Sequence, residues 1–220
     1  MKEKGKRSFY FGVSLIGVFL IWTKLIQSID IQPWGINGTK IGFATMNCWF
    51  HELTGVHMAI YHITDWLGLV PVFVCIFFGA IGLAQWLRKR KFMKVDYDIL
   101  FLGIYYIVVI IGYLIFEMVP INYRPILIEG RMEASYPSST TLLVLCVMPT
   151  LITQVNRRLK NQKAKRIVQI VVIIFSAFMV LGRLISGVHW ITDIVGAIFF
   201  SSGWFHIYKG SILWYDKTKN

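Results

Sequence analysis

The sequence predicts an all-α, polytopic membrane protein with six transmembrane helices, on the basis of composition, apolar segments and the placement of basic residues. Of its 220 residues, 56% are hydrophobic and only 15% are charged, while the formal net charge is +12. Soluble domains average about 45–50% apolar and about 25% charged residues, so a soluble domain of this composition would leave much apolar surface in water. The aromatic content of 15%, without Gly, Pro or Ser repeats, excludes a disordered or collagen-like chain.

Six apolar segments predict the membrane spans. A hydrocarbon core about 30 Å thick needs roughly 20 apolar residues per helix, with a range of about 17 to 25. The predicted spans are Ser8–Thr23, Leu67–Leu87, Ile99–Val119, Thr140–Asn156, Ile167–Gly182 and Ile191–Tyr208. The first could be a cleaved signal peptide, but the stretch after it lacks a small-x-small cleavage site, which favours an uncleaved span. Residues 1–220 are predicted to form a single membrane-embedded domain.

The basic residues predict the orientation of these spans. Eighteen of the 23 Lys and Arg residues lie at the two chain ends and in the loops after the second and fourth spans. These are Lys2, Lys4, Lys6, Arg7, Arg88, Lys89, Arg90, Lys91, Lys94, Arg157, Arg158, Lys160, Lys163, Lys165, Arg166, Lys209, Lys217 and Lys219. Cytoplasmic loops collect Lys and Arg, so both termini are predicted to be cytoplasmic, in a cell membrane. Because the charge is divided among short loops, no nucleic-acid partner is expected.

The five remaining basic residues are predicted on the outer side, where the rule for cytoplasmic loops does not account for them. They are Lys24, Lys40, Arg124, Arg131 and Arg183. The outer stretch between the first two spans, at 46–66, places His51, Thr54, His62 and Asp65 within about one third of a helical turn. This pattern predicts an amphipathic helix on the outer membrane surface. Its histidines either form the wet face of that helix or reach the site as substrate or proton-transfer groups.

The other two outer loops carry groups suited to phosphate chemistry. Arg124 and Arg183 offer permanent, planar charge that can bind a phosphoryl group in a bidentate way. The run Pro137, Ser138, Ser139 and Thr140 precedes an apolar helix, and a helix N-terminus with hydroxyls favours anions. His189 and Asp193 are four residues apart, so on a helix the carboxylate can hold one ring nitrogen while the other faces a substrate. That arrangement makes a histidine nucleophile or base.

In these residues the sequence resembles the type 2 phosphatidic acid phosphatase superfamily of integral membrane lipid phosphatases. The family motifs are Lys-x6-Arg-Pro, Pro-Ser-Gly-His and Ser-Arg-x5-His-x3-Asp. The third is matched from Arg183 through His189 to Asp193, with Gly182 for the leading Ser. The first is matched at Arg124-Pro125, with Glu117 where the family has Lys. The second begins with Pro137-Ser138 and then departs, with Ser139 for Gly and Thr140 for His.

The resemblance implies a role for each matched position. His189 would attack phosphorus to form a phosphohistidine, Asp193 would orient it, and Arg124, Arg183 and Ser138 would hold the phosphate, beside Ser139 and Thr140. The family's second-motif His protonates the leaving alcohol, and Thr140 cannot do so near neutral pH. Either the substrate is therefore a lipid pyrophosphate such as a polyprenyl pyrophosphate, whose leaving group needs no proton, or another group supplies it. The candidates for that group are His51, His57, His62 and Glu117.

Two other functions stay open at this point. Loss of the family Lys and His fits a catalytically weak or inactive lipid-phosphate binding or transport protein, and transfer of the phosphate to another lipid head group is also compatible. In each case a lipid phosphate and the membrane are the expected partners, while the sequence leaves the oligomeric state undetermined. No cofactor or metal is predicted, because the carboxylates near the site are few and scattered and the arginines already supply positive charge. The three cysteines have neither disulfide nor metal-ligand spacing.

Overall fold

The computed structural model describes residues 2–216, with the backbone alone of Lys2, and confirms the all-α prediction for this part of the chain. The helices are α1 (Lys2–Ile26), α2 (Ala44–Thr54), α3 (Met58–Leu67), α4 (Leu69–Lys89), α5 (Tyr97–Met118), α6 (Ser139–Arg158), α7 (Gln162–Ile185) and α8 (Ile191–Tyr215). Two short 3₁₀ turns, Ile36–Gly38 and Phe92–Lys94, lie in the connections. Lys217 and Lys219 of the predicted C-terminal basic cluster lie outside the described residues, as does the Lys2 side chain.

Five of these helical stretches are long and apolar enough to cross a membrane. They are Glu3–Ile26, Met58–Lys89, Tyr97–Met118, Ser139–Arg158 and Gln162–Ile185. Large apolar side chains point outward from them, as at Phe73 and Ile173, which are 65% and 61% exposed. Such surfaces suit lipid better than water, so the chain is a multi-pass membrane protein.

The sixth predicted span corresponds to α8, and its crossing of the membrane stays a prediction. With 25 residues the helix is long enough at about 1.5 Å per residue. Its polar residues, among them Ser201, His206 and Lys209, make it less apolar than the other five. It packs antiparallel against α1, with Gly12 against the backbone of Gly203 and the Trp22 indole donating to the Thr192 carbonyl. Its place in the bundle is therefore fixed by α1.

The prediction of a single amphipathic helix over 46–66 is wrong, because the segment forms two helices. The helical conformation ends at Gly55, between α2 and α3, where a φ of +69° lies in the left-handed region. The break destroys the common face predicted for His51, Thr54, His62 and Asp65. Beyond Gly68, α3 is followed at once by α4, so α3 forms the first part of one long apolar stretch, Met58–Lys89. Whether α2 lies on the membrane surface stays a prediction.

The two ends of the bundle differ in chemistry. At one end, basic residues pair with acids: Arg158 Nη2 lies 2.8 Å from Asp98 Oδ2, and Lys89 Nζ lies 3.2 Å from Asp96 Oδ1. Three of the predicted cytoplasmic basic clusters meet near this end. The opposite end holds the start of α6, the end of α7, the start of α8, and α3. The candidate phosphate ligands gather there.

Candidate functional site

The candidate site lies where four helix ends meet beneath a looped segment. The loop 119–138 folds back on itself through paired backbone at Tyr123 and Ala134, and again at Ile128 and Arg131. It covers the starts of α6 and α8 and the end of α7. Of the five basic residues predicted outside, Arg124 and Arg183 are buried here, whereas Lys24, Lys40 and Arg131 are exposed. Burial of a charge is costly without a partner or a function, so these two arginines stand apart from the other three.

His189 is buried with one ring nitrogen held and the other unpartnered. Nδ1 lies 3.2 Å from the Ser135 carbonyl oxygen, and a carbonyl only accepts, so we assign the ring hydrogen to Nδ1. Nε2 then carries a lone pair, and it has no hydrogen-bond partner among residues 2–216. A neutral imidazole with a free lone pair on Nε2 is the state required of a nucleophile.

Asp193 holds this arrangement through Ser135. The Ser135 hydroxyl donates to Asp193 Oδ2, and the same oxygen accepts from the Trp190 backbone N–H at 2.8 Å. The distance from His189 Nδ1 to Asp193 Oδ2 is 3.7 Å, too long for a hydrogen bond. Asp193 therefore orients His189 through Ser135 in this structure.

The predicted stacking of His189 and Asp193 on one helix is wrong. His189 ends a turn that begins after α7, and α8 begins only at Ile191. The turn needs Gly187, with a φ of +71°, because a Cβ there would lie 2.1 Å from the Gly55 carbonyl oxygen. The link between α2 and α3 thus packs directly on the turn that carries His189.

The environment of His189 predicts its titration. Burial, with the positive charges of Arg124 and Arg183, holds its pKa well below the usual value of about 6.5. Because the lowered pKa favours the neutral form, we expect His189 to stay neutral through pH 6. Histidine-labelled protein, with the signal assigned by loss in His189→Gln, would show this by NMR titration. A midpoint at or above pH 6.5 would contradict the environment described here.

Arg183 is almost completely buried and held by α3 and α6. Its Nη2 donates to Asp65 Oδ1 at 2.8 Å and to the Thr140 hydroxyl, while Nη1 lies 3.4 Å from the Tyr61 carbonyl oxygen. Its Nε has no hydrogen-bond partner in the described part of the chain. A buried guanidinium with a free N–H near His189 is suited to hold a phosphate oxygen.

Arg124 lies on the covering loop and faces the same region. Its Nε is 3.1 Å from Glu133 Oε2, an ion pair without hydrogen-bond geometry, and its Nη1 is unpartnered among residues 2–216. The guanidinium carbons of Arg124 and Arg183 lie 5.8 Å and 4.9 Å from the centroid of the Tyr61 ring. Tyr61 thus brings two like charges together, and aromatic contact offsets part of their repulsion.

The start of α6 places the three predicted hydroxyl residues differently. The run lies at a helix N-terminus, as predicted, with Ser138 as the N-cap and Ser139 as the first residue of α6, one residue before the predicted start of the span. Ser138 is fully buried, with its hydroxyl donating to Thr141 at 3.1 Å and its N–H donating to the Asp193 carbonyl at 3.3 Å. Both of its donors are therefore used within the protein. Thr140 contacts Arg183, and Ser139 lines a small crevice with Ser135.

The candidates for a replacement proton donor lie at the margins of the site. Glu117 is exposed but lines the same crevice as Ser135 and Ser139. His57 is exposed and its Nε2 contacts the Thr54 carbonyl at 2.9 Å, while His51 packs on the Trp190 ring. His62 is exposed on α3. None of the three histidine side chains forms a hydrogen bond or ion pair with Arg183 or His189 among the described residues, whereas Glu117 lies in the crevice beside Ser135.

Three residues of the site were not among those predicted: Ser135, Tyr61 and Asp65 as a partner of Arg183. The sequence predicts Asp65 on the polar face of an amphipathic helix. Its ion pair with Arg183, over a hundred positions away, carries no local sequence signal. Tyr61 and Asp65 are four apart, so they share a face of α3, which could have suggested a common target. A single Ser in a loop offers no such indication. No cluster of three metal-ligating side chains occurs within residues 2–216.

Fold and site together define a helical, multi-pass membrane protein that gathers two buried arginines and a buried histidine at one end of its bundle. Residues 114–215 match the family model of the PAP2 superfamily. This match supports the PAP2 superfamily prediction made from the motifs. The match covers the site loop, α6, α7 and α8.

A solved structure supports the same fold over nearly the whole chain. It is described as the first transmembrane PAP2-type phosphatidylglycerolphosphate phosphatase, from Bacillus subtilis. The two share 18% sequence identity with a TM-score of 0.66, covering 96% of this chain and 98% of the other. No curated protein sequence matches this chain significantly.

Proposed function

We propose that this protein is an integral membrane lipid phosphatase that forms a phosphohistidine at His189. The observation that carries the proposal is the meeting of a histidine lone pair with unpartnered donors of two buried arginines. The Nε2 of His189, the Nε of Arg183 and the Nη1 of Arg124 all lack protein partners in the described chain. A phosphoryl group is both the electrophile and the anion that such an arrangement suits.

The proposed reaction has two steps. In the first, His189 Nε2 attacks phosphorus, a P–N bond forms, and the P–O bond to the lipid breaks as the lipid leaves. The developing imidazolium keeps its hydrogen on Nδ1 and donates it to the Ser135 carbonyl. Asp193 helps to hold Ser135 in place by accepting a hydrogen bond from the Ser135 hydroxyl. In the second, water attacks phosphorus, the P–N bond breaks with its electron pair returning to Nε2, and inorganic phosphate leaves while a proton of the attacking water passes to the solvent. Arg124 and Arg183 stabilise the phosphoryl oxygens in both steps.

The absence of the family's second-motif His favours a pyrophosphate substrate. Thr140 occupies that position and its hydroxyl is bonded to Arg183. An alcohol, like water with a pKa of about 15.7, leaves badly without a proton. A phosphate monoester, with a second pKa near 6, leaves well without one. A polyprenyl pyrophosphate therefore fits the site better than a lipid monophosphate.

The bundle's asymmetry supports the proposed orientation in a cell membrane. The acid–base network containing Lys89 and Arg158 lies at one end, and the site lies at the other. Under the positive-inside rule, the basic end and both termini are cytoplasmic. The site would then face the outer surface, where a lipid head group reaches it while its tail stays in the bilayer.

The substrate proposal is tested by phosphate release from purified protein. We expect release from a polyprenyl pyrophosphate to exceed that from phosphatidic acid by about 10²-fold or more, since general acid catalysis is typically worth 10² to 10⁴. Both lipids are presented in the same detergent, with protein heated beforehand as the blank. Equal rates would reject the pyrophosphate preference while leaving the phosphatase proposal intact.

Two departures from the family support a second candidate, a lipid-phosphate binding or transport protein without turnover. Glu117 stands where the family has Lys, and Thr140 where it has His. Such a protein would bind lipid phosphates through Arg183 and release no phosphate from any of them. Transfer to a lipid acceptor is the third possibility, revealed by a new phospholipid product when acceptor lipids are added.

A further inference from the structure

Each of the two arginines proposed to bind phosphate faces its own carboxylate. Arg183 Nη2 lies 2.8 Å from Asp65 Oδ1, and Arg124 Nε lies 3.1 Å from Glu133 Oε2. Neither acid belongs to the family motifs quoted above: Asp65 comes from α3 and Glu133 from the covering loop. The site therefore supplies an internal negative charge for each of its fixed positive charges.

The acids are much more accessible than the arginines they face. The Asp65 and Glu133 side chains are 55% and 36% exposed, whereas those of Arg183 and Arg124 are 1% and 9% exposed. An exposed carboxylate can swing into water at little cost, since its charge remains hydrated there. A buried arginine cannot, because its guanidinium is packed on all sides. If either partner moves, it is the acid.

The contact with Asp65 uses a donor that a phosphate would need. The side-on edge of a guanidinium, formed by Nε and Nη2, is the one that grips two oxygens of a carboxylate or phosphate together. On Arg183, Nε has no partner within residues 2–216, while Nη2 is shared by Asp65 and Thr140. Side-on binding of phosphate therefore competes with Asp65 and Thr140 for Nη2, and Asp65 is the charged competitor of the two.

The charge balance points the same way. With His189 neutral, the two positive charges of Arg124 and Arg183 are faced by the two exposed carboxylates of Asp65 and Glu133. A phosphate dianion would therefore meet arginines whose charge is already balanced if both carboxylates stayed in place. Like charges at contact distance repel each other, and a carboxylate and a phosphate cannot both occupy the same guanidinium donors. Withdrawal of the exposed pair removes this obstacle.

We propose that Asp65 and Glu133 are positioning residues that compete with phosphate for Arg183 and Arg124. They hold the guanidinium groups in place between turnovers and weaken the binding of inorganic phosphate, so that it leaves readily. This inference rests on the proposed phosphate site and adds to it two residues from outside the motifs. Their effect on the reaction is exerted through the arginines and not through contact with the reacting atoms.

The test measures the affinity of inorganic phosphate for full-length protein in detergent. We expect Asp65→Asn to bind phosphate about tenfold more tightly, because the amide keeps the shape but loses the competing charge. Glu133→Gln should also raise the affinity for phosphate. Asp65→Glu keeps the charge, so its affinity should stay within about twofold of that of the parent protein. Glu52→Gln removes an exposed acid from α2 and serves as the matched control.

Two readouts separate competition from a merely structural role. Phosphate should inhibit turnover with a lower inhibition constant in Asp65→Asn, and it should raise the unfolding temperature of that variant more than it raises that of the parent. A variant that is only less stable would have a lower unfolding temperature and an unchanged inhibition constant for phosphate. If Asp65→Asn cannot be purified folded, Glu133→Gln decides the question alone.

The outcomes distinguish this inference from the proposed function. Tighter phosphate binding in the neutral variants supports it. Unchanged or weaker binding, with the parent protein still binding phosphate and releasing it from lipid, overturns the competition and leaves the phosphatase proposal intact. If the parent protein neither binds inorganic phosphate nor releases it from any lipid tested, both the competition and the phosphatase proposal are overturned.

Discussion

Replacement of His189 by Gln is expected to reduce phosphate release by about 10⁴-fold or more, since loss of a covalent nucleophile removes the reaction path itself. The structure supports this expectation through the assigned tautomer. The Ser135 carbonyl accepts a hydrogen bond from Nδ1–H, so the lone pair on Nε2 is free. Gln retains a polar side chain in the buried position and has no comparable nucleophile, so binding of lipid phosphate should survive in part.

Trapping of the intermediate gives the decisive measurement. Brief exposure to lipid carrying a labelled phosphate, followed by alkaline quenching, should leave acid-labile label on the parent protein and none on His189→Gln. His206→Gln is the matched control, since His206 packs against Ser8 in the contact between α1 and α8. Labelled His189→Gln would reject His189 as the nucleophile. If the parent protein takes no label from any lipid, and Arg183→Ala abolishes binding, the binder proposal is favoured.

The helices could be predicted from the sequence because each depends on a local property. A run of about 20 apolar residues must satisfy its backbone internally in lipid, so each predicted span corresponds to a helix with ends shifted by a few residues. The segment before α4 could not be predicted in the same way. Its polar pattern fits one helix, but the turn at Gly55 is needed to pack against Gly187, a contact across more than a hundred residues.

The site was predictable only where its residues form motifs. Arg183, His189 and Asp193 follow a spacing that matches the family, and the structure brings them together with Arg124. Ser135 carries no sequence signal, and Tyr61 and Asp65 carry only a shared face of α3, because their roles arise from long-range packing of α3 and the covering loop. One family departure also has a spatial explanation: a Cβ at Gly182 would lie 2.7 Å from Thr64 Cγ2, so α3 fills the space of a larger side chain.

Replacement of Thr140 by His is expected to raise the rate on lipid monophosphates relative to lipid pyrophosphates, by about tenfold at least. An imidazole at the start of α6 would restore a group able to protonate a leaving alcohol near neutral pH. A pyrophosphate would gain little, because its leaving group needs no proton. The gain should lie toward the lower end of the usual range, since the substitution also removes the Thr140 hydroxyl from Arg183 Nη2.

The ratio of the two rates is the measurement that isolates proton donation. A larger side chain at position 140 can distort the site near Gly68, where a Cβ would lie 3.4 Å from Thr140 Cγ2. Such a distortion lowers the rates on both substrates and cancels in their ratio. Thr140→Asn is the matched control, because it adds a polar side chain that cannot act as an acid. Equal ratios for the His and Asn variants would show that the missing histidine does not set the substrate preference. A raised ratio for His alone assigns the preference to the leaving group, since only that variant can supply the proton that an alkoxide requires.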